Sequence, residues 1–450
     1  MSHEKQRRFT WRRTATVLMA GAIALTAAGC ASVDAGKNTS GTVAPVAQDA
    51  NAPITVWVDA TRQPMAEAFA KKYPSPAIKI VTIDQNAQGA DSLQAKIALA
   101  DKAGKGWPDV IWSSQTTDSS WAGTGPTPYA ATLNNGLISE QKLKAFQGTA
   151  LDPCTVDGKV VCLRNDLAQN VLWYNKTLMD QFGYTVPTTW EEFQALGTKL
   201  VAEHPGYVMG TVGDQAPMQY FWGAGCPANV LKGNVFSSNT ADANCVKMAK
   251  LLDAMVADKS LTTDSVFAGT TYLNTYGQKT LMAVGPSWYG KYLFADYLKV
   301  PAGQMAAAAP LQWEGASNSI TGNVGGGTWF ASSHSKNLKL AAKFLDYVAT
   351  DIDLQSNAPT YPAYGPAAVA WLKNSANTTY FASDVAAVFQ QAANEVWGGW
   401  SESALVDQNQ IWTGTILPQV LKGQSIESQL PSWQDTAQKR ATANGYEVKK

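Results

Sequence analysis

Residues 170–193 read NVLWYNKTLMDQFGYTVPTTWEEF, and their spacing predicts a strand followed by two helices. The apolar and aromatic run at 171–174 is typical of a strand. The short helical face after it ends at Gly183, and glycine commonly terminates helices. Thr189 and Glu192 have the spacing of a capping box, which predicts that a second helix begins there. This stretch therefore predicts local structure but no chemistry.

The segment before this stretch, residues 54–112, alternates between strand and helix patterns. Three apolar runs, ITVWV, IKIVTI and DVIW, are separated by apolar faces with helical spacing. This order predicts a mostly parallel sheet covered by helices, and ligands of such sheets bind beyond the carboxyl ends of the strands. Polar side chains follow the first and third runs at those ends, namely Asp59, Arg62, Gln63, Ser113, Ser114 and Gln115. Ordinary loop composition explains each of them equally well.

The length and charge of the chain limit its class. At 450 residues the chain is too long for one ordinary core, so we expect two lobes. Lys plus Arg and Asp plus Glu both number 35, and no basic block occurs outside the N-terminus, which argues against nucleic acid as a partner. The many tryptophans and tyrosines are expected mostly in the core, although such residues also form flat contact surfaces.

The N-terminus has the pattern of an export signal. A basic segment, MSHEKQRRFTWRRT, precedes an apolar segment shorter than the roughly 20 residues that span a bilayer. The end of that segment, TAAGC, resembles a bacterial lipoprotein signal, which implies that residues 1–30 are a signal peptide and that Cys30 is lipidated. Residues 31–52 are small and polar, so we expect a flexible tether at the extracellular face of the cell membrane. General secretion and the twin-arginine route both stay open.

The remaining cysteines predict disulfides. Cys154 and Cys162 flank a turn signal, Asp157-Gly158, that would place their sulfurs across a hairpin. Cys226 and Cys245 form a second local pair. An even number of such cysteines in an exported chain indicates disulfides, whereas a zinc site needs closer spacing and histidines.

Motifs for catalysis or ion binding fit the sequence poorly. GPSWYG has the wrong spacing for a serine nucleophile, DIDLQSN lacks the glycine of a calcium loop, and GNVGGG lacks the lysine of a phosphate loop. A glycosidase needs only two carboxylates, so that class stays open. Tryptophans beside glycines or at strand ends indicate sugar binding, because sugar rings stack on aromatic faces. These are Trp288, Trp329, Trp397 and Trp400, and a core position explains each of them equally well.

The segment LWYNKTLMDQFGYTVPTTWEEF closely resembles bacterial extracellular solute-binding proteins of ABC importers, in the maltose-binding-like family. ITVWVDA, WPDVIW, LMAVGPSWYG and GGGTWFASSHSKNLKLAAKFLDYVA extend the resemblance over nearly all of the mature chain. The resemblance implies a periplasmic-binding-protein-like fold of two α/β lobes with a ligand cleft between them. It also implies a carbohydrate ligand, a membrane permease as partner, a monomer, and neither catalysis nor a cofactor or metal.

The resemblance also implies lobe boundaries and binding residues. The N-terminal lobe would comprise 53–163 and about 303–355, and the C-terminal lobe 164–302 and about 356–445. Where the chain crosses between lobes the family often has a proline, and this sequence has Arg164. Matching positions imply ligand contacts by Trp288, Trp329, Gly327, Asp166, Asp59, Ser114, Trp222, Tyr361 and Trp397. The identity and length of the sugar stay open, as do a non-sugar ligand and a surface-anchored glycan-degrading enzyme.

Overall fold

The structure is a computed structural model, and it describes residues 46–449 except 86, 88 and 126. The predicted signal peptide, Cys30 and most of the predicted tether lie outside these residues. Within the described part, no helix combines the length and the apolar character needed to cross a bilayer.

The strands of the described residues form two main sheets and two small ones. They are β1 (Ile54–Val58), β2 (Ile78–Thr82), β3 (Val110–Ser113), β4 (Thr155–Val156), β5 (Lys159–Val160), β6 (Leu163–Arg164), β7 (Asn170–Asn175), β8 (Val230–Lys232), β9 (Val235–Ser237), β10 (Met282–Pro286), β11 (Met305–Ala308), β12 (Thr328–Ala331) and β13 (Glu447–Lys449).

Helices cover both main sheets and dominate the C-terminal part. They are α1 (Gln63–Lys72), α2 (Leu93–Ala103), α3 (Asp118–Ala122), α4 (Glu140–Leu143), α5 (Lys176–Phe182), α6 (Trp190–Glu203), α7 (Ala243–Ala257), α8 (Thr271–Tyr276), α9 (Leu338–Thr350), α10 (Ile352–Ser356), α11 (Gly365–Lys373), α12 (Ser375–Thr378), α13 (Ala386–Asn394), α14 (Trp400–Ser403), α15 (Gln408–Ile411), α16 (Leu417–Val420) and α17 (Ile426–Ala443). Pro217–Phe221, Gly290–Tyr297 and Trp412–Ile416 are π-helical.

The first main sheet has the strand order β2-β1-β3-β12-β6. β1 pairs in parallel with β2 and β3, while β12 runs antiparallel to β3 and β6. The alternation β1, α1, β2, α2, β3 confirms the order predicted for residues 54–112. Phe69 of α1 packs edge-on against Phe344 of α9, and both side chains are fully buried in the core of this sheet.

The second main sheet, β10-β7-β11, is antiparallel and contains the stretch 170–193. β7 is its central strand, and α6 begins with the predicted capping box between Thr189 and Glu192. Gly183 ends α5 in the left-handed conformation, as predicted. Alternate residues of β7 pack into different cores: Trp173 lies in one, and Leu172 lies in the other. The strand is apolar on both faces because both faces are covered.

The connections between the two sheets show where the chain passes from one to the other. The chain leaves the first sheet after β6 and enters the second at β7, and it returns between β11 and β12. Because β11 pairs with β7, the beginning of the segment 303–355 belongs to the second sheet and not to the first, in contrast to the predicted boundary. The other lobe boundaries remain predictions.

The predicted disulfides are confirmed. Cys154 is bonded to Cys162 across the β4–β5 hairpin, and Cys226 is bonded to Cys245. Asp157 and Gly158 both have positive φ, 48° and 75°, which is the turn conformation that the sequence predicted.

The last residues of the predicted tether are held against the first lobe. The Gln48 side chain accepts a hydrogen bond from the backbone N–H of Leu338, and the Asn337 side chain donates to the carbonyl oxygens of Ala50 and Ala52. Residues 48–52 are therefore anchored at the start of α9, although their composition predicted a flexible segment.

Candidate ligand-binding site

A cavity of about 740 Å³ lies between elements of the first sheet and elements of the core that contains Leu172. One wall consists of Gln85, the start of α2 and residues 113–125, which follow the carboxyl end of β3. The other wall consists of β9, residues 405–411 and the end of α17. This volume is in the range of sites that bind small molecules, about 300–1,000 Å³.

Uncharged polar groups dominate the cavity walls. Amide side chains come from both walls, as do hydroxyl groups, and Trp121 adds an aromatic surface. The amides and hydroxyls are those of Gln85, Gln94, Gln115, Asn234, Gln410, Asn444, Ser92, Ser113, Thr117, Ser120, Thr124 and Tyr446. Such groups both donate and accept hydrogen bonds, so the walls are suited to a ligand rich in hydroxyls.

Two carboxylates occupy opposite walls of the cavity. Asp118 begins α3 and accepts hydrogen bonds from Ser113 Oγ at 2.5 Å and Trp121 Nε1 at 2.8 Å. Burial raises the pKa of Asp118, these hydrogen bonds oppose the shift, and the charge of Asp407 adds to it.

Asp407 caps the N-terminus of α15, where the backbone N–H of Gln410 donates to it at 3.1 Å. Burial raises the pKa of Asp407, against the Gln410 hydrogen bond and the charge of Arg440. Hydrogen-bond dipoles hold each carboxylate, and neither forms a salt bridge within the described part of the chain.

A second group of polar side chains, the Arg62 cluster, lies where the chain crosses between the sheets. We define it as Asp59, Arg62, Trp112, Asp166 and Tyr292. The Arg62 guanidinium carbon lies 4.2 Å from the centroid of the Trp112 ring. Its nitrogens lie 3.4 Å from Asp59 Oδ2 and 3.9 Å from Asp166 Oδ1. The cation therefore covers an aromatic face and is balanced by two carboxylates.

Tyr292, in the π-helical segment Gly290–Tyr297, completes this cluster. Burial raises the pKa of its hydroxyl to about 12; the charge of Arg62 lowers it, while those of Asp166 and Asp59 raise it further. The hydroxyl oxygen is buried and has no hydrogen-bond partner among the described residues. A buried hydroxyl of this kind usually has a partner, so Tyr292 is a candidate contact for a ligand group.

Trp288 lies next to Tyr292 of the Arg62 cluster. Its ring is half-buried, its Nε1 donates to the Val324 carbonyl oxygen at 2.8 Å, and its centroid lies 6.5 Å from that of Tyr292. A Cβ placed on Gly325 would lie 3.7 Å from Trp288 Nε1 and 3.9 Å from the Ser114 carbonyl oxygen. Ser113 and Gln115, the neighbours of Ser114 in the chain, line the cavity.

The comparison with known proteins identifies the family. The model of the family of bacterial extracellular solute-binding proteins matches residues 52–355. The chain belongs to this family. The membership inferred from the stretch 170–193 is therefore confirmed.

Solved structures similar to this solute-binding protein confirm the two-lobed fold. The ABC transporter associated binding protein from B. animalis subsp. lactis, in complex with β-1,6-galactobiose, is 18% identical with a TM-score of 0.68, over 88% of this chain and 99% of that one. The galacto-N-biose-/lacto-N-biose I-binding protein from Bifidobacterium longum is 20% identical with a TM-score of 0.69, over 89% and 100%. The GacH receptor of Streptomyces glaucescens, solved unliganded and with acarbose, is 19% identical with a TM-score of 0.67, over 87% and 98%.

Several residues predicted to bind ligand lie together in this solute-binding protein. Asp59 and Asp166 belong to the Arg62 cluster, Trp288 lies next to Tyr292 of that cluster, and the chain neighbours of Ser114 line the cavity. Gly327 lies beneath Trp112, since a Cβ on this glycine would fall 2.7 Å from the indole ring. Their contacts with a ligand remain predictions.

Other predicted contacts are corrected by their burial. Trp329 is fully buried, packs against Phe344 in the core of the first sheet and donates to Asn165 Oδ1. Trp222 is 3% exposed and donates to Ser403 Oγ, and Tyr361 is 2% exposed and packs against core aromatic rings. These three side chains line neither the cavity nor the Arg62 cluster, because packing covers them.

Trp397 takes an intermediate position. It is half-buried and packs with Trp222, Trp400 and Val324 in a small apolar cluster. Trp397 therefore packs against Val324, whose carbonyl oxygen accepts the hydrogen bond from Trp288 Nε1.

Four further candidate residues were absent from the predicted contacts. Arg62 was noted at the end of β1, and only the structure stacks it on Trp112. Asp118 lies in the polar segment after β3, but nothing in its neighbourhood distinguished it. Tyr292 and Asp407 lie in helical stretches where no local signal separates a ligand contact from a surface residue.

Proposed function

We propose that this protein is the extracellular substrate-binding component of an ABC importer and that it captures a sugar or oligosaccharide between its lobes. The observation that carries the proposal is the cavity of about 740 Å³ whose two walls come from different lobes and present mainly amides and hydroxyls. The ligands named with the similar structures, β-1,6-galactobiose, lacto-N-biose and acarbose, support a carbohydrate.

Capture would follow from the arrangement of the walls. Residues 113–125 and residues 405–411 face the same cavity from different lobes, so only the closed form lets one ligand contact both. A ligand shifts the population toward the closed form by the free energy of the contacts made there alone. The closed form would then deliver the sugar to a membrane permease, and the protein would bind its ligand without chemical change.

Thermal unfolding with a panel of sugars tests the binding function. A ligand at 100 times its dissociation constant adds about 2.7 kcal/mol to the stability of the native state, which raises the melting temperature measurably. The panel contains monosaccharides, maltotriose, cellobiose, β-1,6-galactobiose and lacto-N-biose, with amino acids and glycerol phosphate as non-sugar ligands. Stabilisation by a sugar supports the proposal, and stabilisation by the non-sugar ligands alone contradicts it.

A surface glycan-degrading enzyme is the second candidate function. Asp118 and Asp407 place two carboxylates in one cavity, and glycoside hydrolysis uses a pair of carboxylates. We expect no release of chromophore from nitrophenyl glycosides of the sugars that bind. Turnover that is lost when Asp118 is changed to Asn would favour the enzyme instead.

The proposed location is the outer face of the cell membrane, with a lipid on Cys30. The sequence TAAGC supports this proposal. Changing Cys30 to Ser should release the protein into the medium, and fractionation of cells with an antibody would measure it. A Cys30→Ser variant that still sediments with membranes would contradict the lipid anchor.

A further inference from the structure

Among the described residues that line the cavity, acidic side chains outnumber basic ones. Asp118 and Asp407 line it from opposite walls, and Arg440 is the single basic side chain among the described residues that line it. Arg440 donates hydrogen bonds to the side chain of Gln410 at 3.2 Å and to the Gln410 carbonyl oxygen at 3.5 Å. Its charge is therefore partly engaged at the edge of the cavity, near Asp407.

Among the residues that the structure describes, the groups that face Asp118 are uncharged except Asp407. Ser113, at the end of β3, and Trp121, on α3, hydrogen-bond to its two carboxylate oxygens. From the opposite wall Asp407 adds a second negative charge, and burial and that charge both raise the pKa of Asp118. Asp407 is faced by the α15 backbone and by Arg440 of α17.

The Arg62 cluster offers no compensating cation. Arg62 already lies between Asp59 at 3.4 Å and Asp166 at 3.9 Å, with its flat face on Trp112. A ligand carboxylate or phosphate would therefore enter a cavity lined by carboxylates, next to a cation that is already balanced. Like charges at short range repel, while an ammonium group would be attracted.

We propose that the cavity between residues 113–125 and residues 405–411 discriminates ligands by charge. It accepts neutral and amine-bearing sugars and rejects sugars that carry a carboxylate or a phosphate. Asp118 and Asp407 impose this exclusion. This inference rests on the proposed sugar-binding function and adds the charge class of the substrate to it.

The test compares matched sugars by titration calorimetry at pH 7 and low salt. The probes are maltotriose, cellobiose and β-1,6-galactobiose, each also prepared with the terminal C6 hydroxyl oxidised to a carboxylate and with an amine at the same carbon. For each sugar that binds, we expect the carboxylate form to bind at least tenfold more weakly and the amine form to bind equally well or more tightly. A carboxylate form that binds within threefold of its parent, or more tightly, overturns the proposal.

Variants separate exclusion by charge from exclusion by shape. In the double variant Asp118→Asn, Asp407→Asn the difference between neutral and carboxylate forms should shrink to less than threefold. The control is Asp353→Asn, which removes an exposed carboxylate that does not line the cavity and should keep the tenfold difference. If the double variant keeps the full difference, the exclusion is steric and the proposal is wrong.

A ligand-independent measurement keeps this inference separate from the proposed function. A carboxylate whose pKa is raised on folding destabilises the native state increasingly as pH rises through the raised pKa. Asp118→Asn should therefore increase the melting temperature relative to the unchanged protein more at pH 7.5 than at pH 4.5, while Asp353→Asn should not. If Asp118→Asn changes the melting temperature equally at both pH values, the inference that the cavity is acidic is wrong. If no sugar binds, the proposed function fails, whatever this melting experiment shows.

Discussion

The guanidinium of Arg164 fills the space in which a side chain on Gly326 would lie. A Cβ built on Gly326 falls 2.0 Å from Arg164 Nη2, and Arg164 Nε donates to the Gly326 carbonyl oxygen at 2.8 Å. Nη2 also donates to the carbonyl oxygens of Gly325 and Leu167. Burial lowers the pKa of Arg164 to about 10, and the charge of Asp166 opposes this shift, so the side chain stays protonated at neutral pH. One buried cation thus joins two of the segments that cross between the lobes.

Gly326→Ala should destabilise the protein far more than its backbone conformation alone requires. Gly326 and Gly423 share a φ of 86°, but a Cβ on Gly423 meets no atom within 4 Å. Gly423→Ala should therefore cost about 1 to 2 kcal/mol, the strain of a left-handed residue. Gly326→Ala should cost at least about 3 kcal/mol because it also displaces Arg164. Urea unfolding would measure both, and equal losses would show that the contact with Arg164 is unimportant.

Trp288→Ala should mainly weaken sugar binding, whereas Trp329→Ala should mainly lower the stability of the protein. Trp288 is half-buried beside the Arg62 cluster, so its loss should weaken sugar binding by about 2 kcal/mol, roughly thirtyfold, with little effect on unfolding. Trp329 is fully buried in the core, so its truncation should cost about 3 to 5 kcal/mol of stability. Calorimetric titration and ligand-free melting would separate the two roles. Unchanged affinity in folded Trp288→Ala would remove Trp288 from the site.

Tyr292→Phe should weaken ligand binding without destabilising the free protein. The Tyr292 hydroxyl has no partner among the described residues, so deleting it breaks no internal hydrogen bond. If it bonds a ligand hydroxyl, its loss should cost about 0.5 to 1.5 kcal/mol of binding free energy. The control is Tyr129→Phe, because the buried Tyr129 hydroxyl donates to the Pro108 carbonyl oxygen at 2.9 Å.

Tyr129→Phe should lose about 1 kcal/mol of stability and keep its affinity for the sugar. The role of Tyr292 would be contradicted if the two variants lost stability to the same extent and Tyr292→Phe bound the sugar normally.

Removing either disulfide should destabilise the protein by a similar amount. The bonds Cys154–Cys162 and Cys226–Cys245 close short loops with sequence separations of 8 and 19. Restricting such loops in the unfolded chain contributes about 2 to 3 kcal/mol each, with the longer loop slightly higher. Unfolding of the paired serine variants would measure the loss. Serine variants with the stability of the unchanged protein would show that the bonds contribute little.

Local features of this protein follow from its sequence alone. The capping box at Thr189 and Glu192, the Asp157-Gly158 turn and both disulfides were predictable because each depends on residues near one another in the chain. The alternation of strands and helices before residue 113 also determined the parallel part of the first sheet. The same patterns, with the stretch 170–193, were sufficient to indicate the family.

Tertiary structure decided which of the candidate side chains form the cleft. β12 is buried at every position, so its sequence does not show whether Trp329 faces the core or a ligand, and packing against Phe344 settles it. Asp118 and Asp407 are distant in sequence, and only the packing of distant chain segments brings them to one cavity. A carboxylate acquires its environment from groups anywhere in the chain, whereas a turn or a capping box acquires it from its neighbours. The cleft could therefore not be predicted from local patterns, although most of the elements that build it could.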